Sequence, residues 1–149
     1  WEASVNIPSV RRDLAAGWKA MLVALKGQEG TFLLGDPDYA TPQGTVSSCV
    51  ITGDAGNDSV TVVMTGTLKA GDYIQLGSGI NSKLHQVLQD QSGNGTLEIW
   101  PPLRSTYSSA TAVFNSPKGV FRLANNVTSW SINNASSYGI SFEAVEVIT

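Results

Sequence analysis

Apolar and polar positions alternate along most of this chain, and one stretch breaks that rule. Leu14, Trp18, Met21, Leu22 and Leu25 fall at i, i+4, i+7, i+8 and i+11, the spacing of one apolar stripe on a helix. The pattern predicts a single helix over residues 10–26, with Ser9 as N-cap and Gly27 as the residue that ends it. Arg12, Lys19 and Lys26 form a basic line beside the stripe. The opposite face carries Ala16, Gly17, Ala20, Val23 and Ala24, small and uncharged where a solvated helix back is normally charged. Two readings fit that face. Either a neighbouring backbone approaches it closely, or the alanines are simply good helix formers facing water.

The rest of the pattern is strand-like. Trp1, Ala3, Val5 and Ile7 alternate with polar residues, so residues 1–7 are expected to form a half-buried strand ended by Pro8. After the helix, residues 31–34 make a short apolar strand. Residues 35–44, GDPDYATPQG, then read as a loop. From Thr45 short strands follow at close spacing: TVSSCVIT, SVTVVM, DYIQLG, KLHQVLQD, TLEIW and TAVFN, separated by Gly-, Asn- and Pro-rich turns. Such spacing marks a small barrel or sandwich. GVFRLA, VTSWSIN and YGISFEAVEVI close the chain as longer, more apolar strands.

The fold class expected is therefore mainly β with one α-helix: a β-sandwich plus helix from residues 1–35 and 119–149, carrying a small β-barrel or sandwich inserted as residues 45–116. Val46, Val50, Val62, Ile74, Leu76, Leu88, Leu97 and Val113 are expected to form the inserted module's own core.

Composition narrows the function. Across 149 residues the charged fraction is 14% and the net charge −3, so a nucleic-acid surface driven by bulk positive charge is not expected. No apolar run approaches the roughly 20 residues of a membrane-spanning helix. Cys49 is alone and cannot form an intrachain disulfide. The chain starts at Trp1 inside an alternating strand, which leads us to expect further residues before it.

GTFLLGDP, LKAGDYIQLGSGINSKLHQVLQD, TLEIWPPLR and GVFRLANN…SW…YGISFEAVE together resemble tail proteins of long-tailed bacteriophages and prophages, of the distal tail or minor tail type. The likeness spans nearly the whole chain and contains no catalytic motif. It implies a β-sandwich-plus-helix like that of tail-tube and tail-tip proteins, with residues preceding the equivalent of Trp1. It further implies a structural protein of the virion, made in the bacterial host cytoplasm. Such a protein assembles as a ring at the end of the tail tube, contacts tube and hub proteins, and needs no cofactor.

Candidate chemistry is sparse. His85 is the sole histidine and no G-x-S-x-G elbow occurs, so a structural histidine is expected. Asp36 and Asp38, and Asp54, Asn57 and Asp58, form oxygen clusters. They lack the D-x-[DN]-x-[DN]-G calcium loop and read as turn formers, so no metal is expected. Glu98, Glu143 and Glu146 are the carboxylates from which a glycosidase pair would have to come, but Glu143 and Glu146 lie three apart, on opposite faces of a strand. Trp1, Trp18 and Trp130 are expected in the core. Trp100, before Pro101 and Pro102, is the candidate ligand contact. The leading expectation is a ring-forming tail-tip subunit that is not an enzyme, with Ala16, Gly17, Ala20, Val23 and Ala24 at the interface. The alternative is a carbohydrate- or protein-binding module that recognises the host surface, with a surface glycan as partner.

Overall fold

The computed structural model describes residues 1–148, a mostly β fold with one α-helix. The chain begins β1 (Glu2–Val10), α1 (Arg12–Ala24), β2 (Phe32–Leu34), β3 (Ser48–Gly53), β4 (Ser59–Thr65) and β5 (Thr67–Leu68). It continues through β6 (Tyr73–Leu76), β7 (Lys83–Val87), β8 (Gln91–Ser92) and β9 (Gly95–Trp100). It ends with β10 (Tyr107–Thr111), β11 (Gly119–Leu123), β12 (Trp130–Ile132) and β13 (Tyr138–Glu146). Two compact units result, one of Trp1–Phe32 with Phe121–Ile148 and the other spanning Leu33–Val120. The division falls inside β2 and β11.

The second unit is built on strict alternation. In β4, Val60, Val62 and Met64 are buried while Ser59, Thr61, Val63 and Thr65 face out, as a strand with one wet face requires. The strands hydrogen-bond in the order β10-β3-β4-β9-β7-β6. Gln75 of β6 then pairs with Val113, just past β10, through backbone bonds of 2.8 and 2.9 Å in both directions. This joins the two ends of the sheet into a barrel, which leaves no long open edge. Inside are Ile51, Val60, Val62, Leu68, Ile74, Leu76, Leu97 and Ile99, nearly or fully excluded from solvent. Each contributes on the order of 1.5–3 kcal/mol by burial.

Val46, Val62, Ile74, Leu76 and Leu97 lie in that core, whereas Val50, Leu88 and Val113 do not. Register explains the difference. Cys49 and Ile51 point inward on β3, so Val50 between them must point out; Val87 points inward at the end of β7, so Leu88 is exposed. One buried carboxylate staples the loop of residues 35–44 to the barrel. Asp72 is fully buried and accepts the backbone N–H groups of Gln43 (2.7 Å), Gly44 (3.3 Å) and Lys69 (2.8 Å).

The first unit is a sheet ordered β1-β13-β11-β2, with β12 also paired to β13, and α1 packs against β13. Its core is small: Ala15 and Leu22 from the helix, Leu123 from β11 and Ile140 from β13, flanked by Ile7, Val10, Leu25, Phe32, Tyr138 and Phe142. Phe32 and Phe142 meet edge to face at 6.0 Å.

Several expectations change here. The helix starts at Arg12, since Ser9 and Val10 remain in β1 and Arg11 serves as N-cap without a side-chain bond. Pro8 is tolerated in that strand because β1 lies at the sheet's end and its register shifts between Ile7 and Val10. The apolar stripe is rotated: Ala15 and Leu22 are buried, while Leu14 is 59% and Trp18 38% exposed. Finally, the VTSWSIN segment yields only the three exposed residues of β12, so Trp130 is not a core residue and Trp1 is only half-buried. The helix also ends earlier than expected, at Ala24 with Leu25 as C-cap, before the chain reaches Gly27. Lys26 and Gly27 both take positive φ (51° and 71°), and a Cβ on Gly27 would collide with Asn126.

Candidate functional site

The outer side of α1 is assembled from residues that a helix rarely shows to water. Ala16, Gly17, Ala20, Val23 and Ala24 are all exposed, and Leu14 and Trp18 join them. Within residues 14–24 the only charged side chain is Lys19. Its ammonium is held over the rings of Trp130 (4.3 Å) and Tyr138 (5.0 Å), so it serves the inner flank as a cation–π donor. The outcome is a face uncharged from Leu14 to Ala24, wider than the small-residue stripe read from the sequence, with exposed Asp13 at its N-terminal edge. Gly17 has nothing within 4 Å of where a Cβ would stand, so its absence of side chain is not required by this unit's own packing.

Trp100 occupies the last position of β9 and is 54% exposed. Alternation places it outward because Leu97 and Ile99 fill the barrel. Glu98, two residues earlier, shares its face.

The remaining candidates do not converge. His85 is fully buried in β7, with Nδ1 2.7 Å from the Pro101 carbonyl oxygen. Asp36 accepts the backbone N–H of Asp38 at 3.0 Å, the turn bond expected of it, and caps a short 3-10 turn at Pro37–Tyr39. The turn at Asp54 is closed by backbone, Asn57 N–H to the Asp54 carbonyl at 3.1 Å. Among the described residues no group of three or more His, Cys, Asp or Glu could hold a metal ion. Glu143 is exposed and Glu146 is buried on the opposite side of β13, so these two do not form a pair, and Glu98 belongs to the barrel.

A cavity of about 290 Å³ beside β13 is lined by Ser4, Asn6, Leu22, Asn125, Ser141 and Glu143, among others. It offers one carboxylate, Glu143, among hydroxyl and amide side chains, and no histidine or lysine. Cys49 is buried on β3, and burial pushes its thiol up to about 11, the opposite of an activated nucleophile. No helix among the described residues is long and apolar enough to cross a membrane.

No protein-family model matches the sequence, and no curated protein matches it.

Two features escape a reading of the sequence. Asp72 looks like an ordinary turn residue after Gly71, and only the fold brings Gln43 and Gly44 to it. The neighbours of Trp100 across the sheet depend on register, which no local spacing reveals.

Proposed function

We propose that this chain is a structural subunit of a bacteriophage tail tip, with a tail-tube- or distal-tail-like fold. It acts through contacts with copies of itself and with other tail proteins, and it carries out no catalysis. The observation that supports this reading is the outer face of α1, where Leu14, Ala16, Gly17, Trp18, Ala20, Val23 and Ala24 are exposed without a charge among them. A contiguous uncharged helix face marks an interaction surface. Small side chains let a neighbour approach closely, and one repeated heterologous contact closes a ring. The resemblance of the GTFLLGDP, LKAGDYIQLG, TLEIWPPLR and YGISFEAVE segments to phage tail proteins supplies the setting.

The test is assembly in a phage that carries this chain. Ala20→Glu places a carboxylate in the contact, at several kcal/mol for a buried unpaired charge. Electron microscopy of lysates should show incomplete tails for Ala20→Glu and complete tails for His85→Gln if the latter folds. Complete, infectious tails with Ala20→Glu would contradict the interface.

A second reading is favoured by a specific feature, the exposed Trp100 on the barrel. In it the barrel recognises a glycan of the host surface.

A further inference from the structure

Outward side chains from three neighbouring barrel strands line up in a single row. Tyr73 on β6 stands opposite Gln86 on β7, and Gln86 stands opposite Trp100 on β9. Directly opposed residues of antiparallel strands project from the same face, and two strand spacings place Tyr73 and Trp100 about 10 Å apart. The inward positions next to them, Ile74, His85 and Ile99, are fully buried, so the row looks away from the core. Tyr39 extends it, its ring 5.3 Å from that of Tyr73 and nearly perpendicular. Asp36 caps the turn that carries Tyr39, so a carboxylate stands near this end of the row, and burial, then the charge of Asp36, then Tyr39 push the Tyr73 phenol up. Glu98 shares the face of Trp100 at the other end.

The chemistry of the row selects its occupant. An apolar protein contact would need a contiguous greasy patch, yet here rings alternate with an amide and carboxylates, with exposed Leu88, two residues past Gln86, as the aliphatic neighbour. Asp36 and Glu98 repel phosphates and other anions. Aromatic faces pack against the C–H faces of sugar rings, while amide and carboxylate oxygens accept hydrogen bonds from hydroxyls. Gln86 is itself steadied by a long bond from Nε2 to the Gly71 carbonyl (3.4 Å). We infer that the Tyr39–Tyr73–Gln86–Trp100 row is a binding strip for a neutral polysaccharide, spanning two linked pyranose units. This deepens the second reading above and is independent of ring assembly.

The whole chain is titrated with cellohexaose, chitohexaose and maltohexaose, followed by tryptophan fluorescence and calorimetry. At least one should bind with millimolar or tighter affinity. Trp100→Ala should lose at least tenfold, Tyr73→Ala severalfold, and Trp130→Ala, in the other unit, nothing. Should Trp100→Ala melt early, Trp100→Tyr keeps a ring and must retain affinity within a few fold; a tenfold loss there, with the fold intact, overturns the strip. Binding that is indifferent to Trp100→Ala overturns the strip and leaves a glycan-binding module standing. No binding of any of the three sugars overturns both. Loss of self-association in Trp100→Ala, with sugar binding absent, would make the row a protein contact and overturn the inference.

Discussion

The two units bury their apolar residues in opposite ways. The barrel turns every large inward side chain toward one closed interior, from Ile51 and Val60 to Leu97 and Ile99. The helix-and-sheet unit buries a shorter set, Ala15, Leu22, Phe121, Leu123, Ile140 and Ala144, and leaves Leu14, Trp18, Val23, Val127, Trp130 and Ile132 exposed. Both units leave apolar side chains outside, Leu33, Val63, Ile80, Leu88, Trp100 and Val113 on the barrel unit among them, but the helix-and-sheet unit exposes as many over a shorter stretch of chain and buries fewer. A self-sufficient core supports a scaffold, and a surplus of apolar surface supports a role in contact with neighbours. That contrast also separates the two proposed surfaces, an uncharged helix face on one unit and a mixed aromatic and polar strip on the other.

The sharpest way to break the comparison is to cut a side chain from each interior. Leu97→Ala in the barrel should cost about 3–5 kcal/mol, and Leu22→Ala in the helix about 2–4 kcal/mol, since both leave a cavity among fixed neighbours. Leu14→Ala should cost less than about 0.5 kcal/mol, because its side chain faces water. Urea denaturation of the three variants checks this. A large loss at Leu14 would restore the stripe expected from the sequence and remove the exposed face.

Asp72→Ala comes next. It strips the acceptor from three backbone N–H groups, so a loss of about 2–4 kcal/mol is expected from the unsatisfied donors. Amide exchange should show residues 43–44 losing protection first. Uniform loss across the barrel would mean that Asp72 holds more than the loop.

The pH dependence follows from Cys49. Its folded value is raised to about 11 from 9.0 by burial. The folded chain therefore keeps a proton that the unfolded chain releases. The stability this contributes is complete below pH about 9 and is lost as pH rises through about 11. Half-buried Tyr73 and Tyr107 are shifted the same way, so Cys49→Ala is the control. Between pH 9 and 11 the parent should lose stability more steeply than Cys49→Ala. Parallel slopes would contradict the burial of the thiol.

The smallest effect expected is a gain. Gly17→Ala meets open space and should raise the stability of the isolated chain by about 0.5–1 kcal/mol through helix propensity. Thermal melts check it, and a loss would mean that Gly17 already packs closely against something in the monomer.

The barrel strands were legible because period-two alternation in SVTVVMT or TLEIW has one solution once turns bound it. The helix was legible in kind and place, but it is two residues shorter than expected at each end and its rotation was not legible. Size misled there: the largest side chains, Leu14 and Trp18, define the stripe, yet small Ala15 lets the helix settle onto Ile140 and Leu123. Hydrophobic periodicity identifies a face that avoids water without saying whether its own sheet or a neighbour covers it. Ser9 reads as a cap, but pairing of Val10 with Tyr138 draws the strand past it, a tertiary effect that no local signal carries. The candidate strip was legible only as Trp100. Tyr73 and Gln86 are 27 and 14 positions away along the numbering, and only strand register brings them alongside.

On the proposed reading α1 has two working faces, one holding its own unit and one holding a neighbour. Sedimentation velocity of the parent and Ala20→Glu across a concentration series, with melting curves on the same samples, tests it most directly. The parent should form a concentration-dependent oligomer, and Ala20→Glu should remain a monomer with an unchanged melting temperature. Identical sedimentation of the two proteins at every concentration would contradict it.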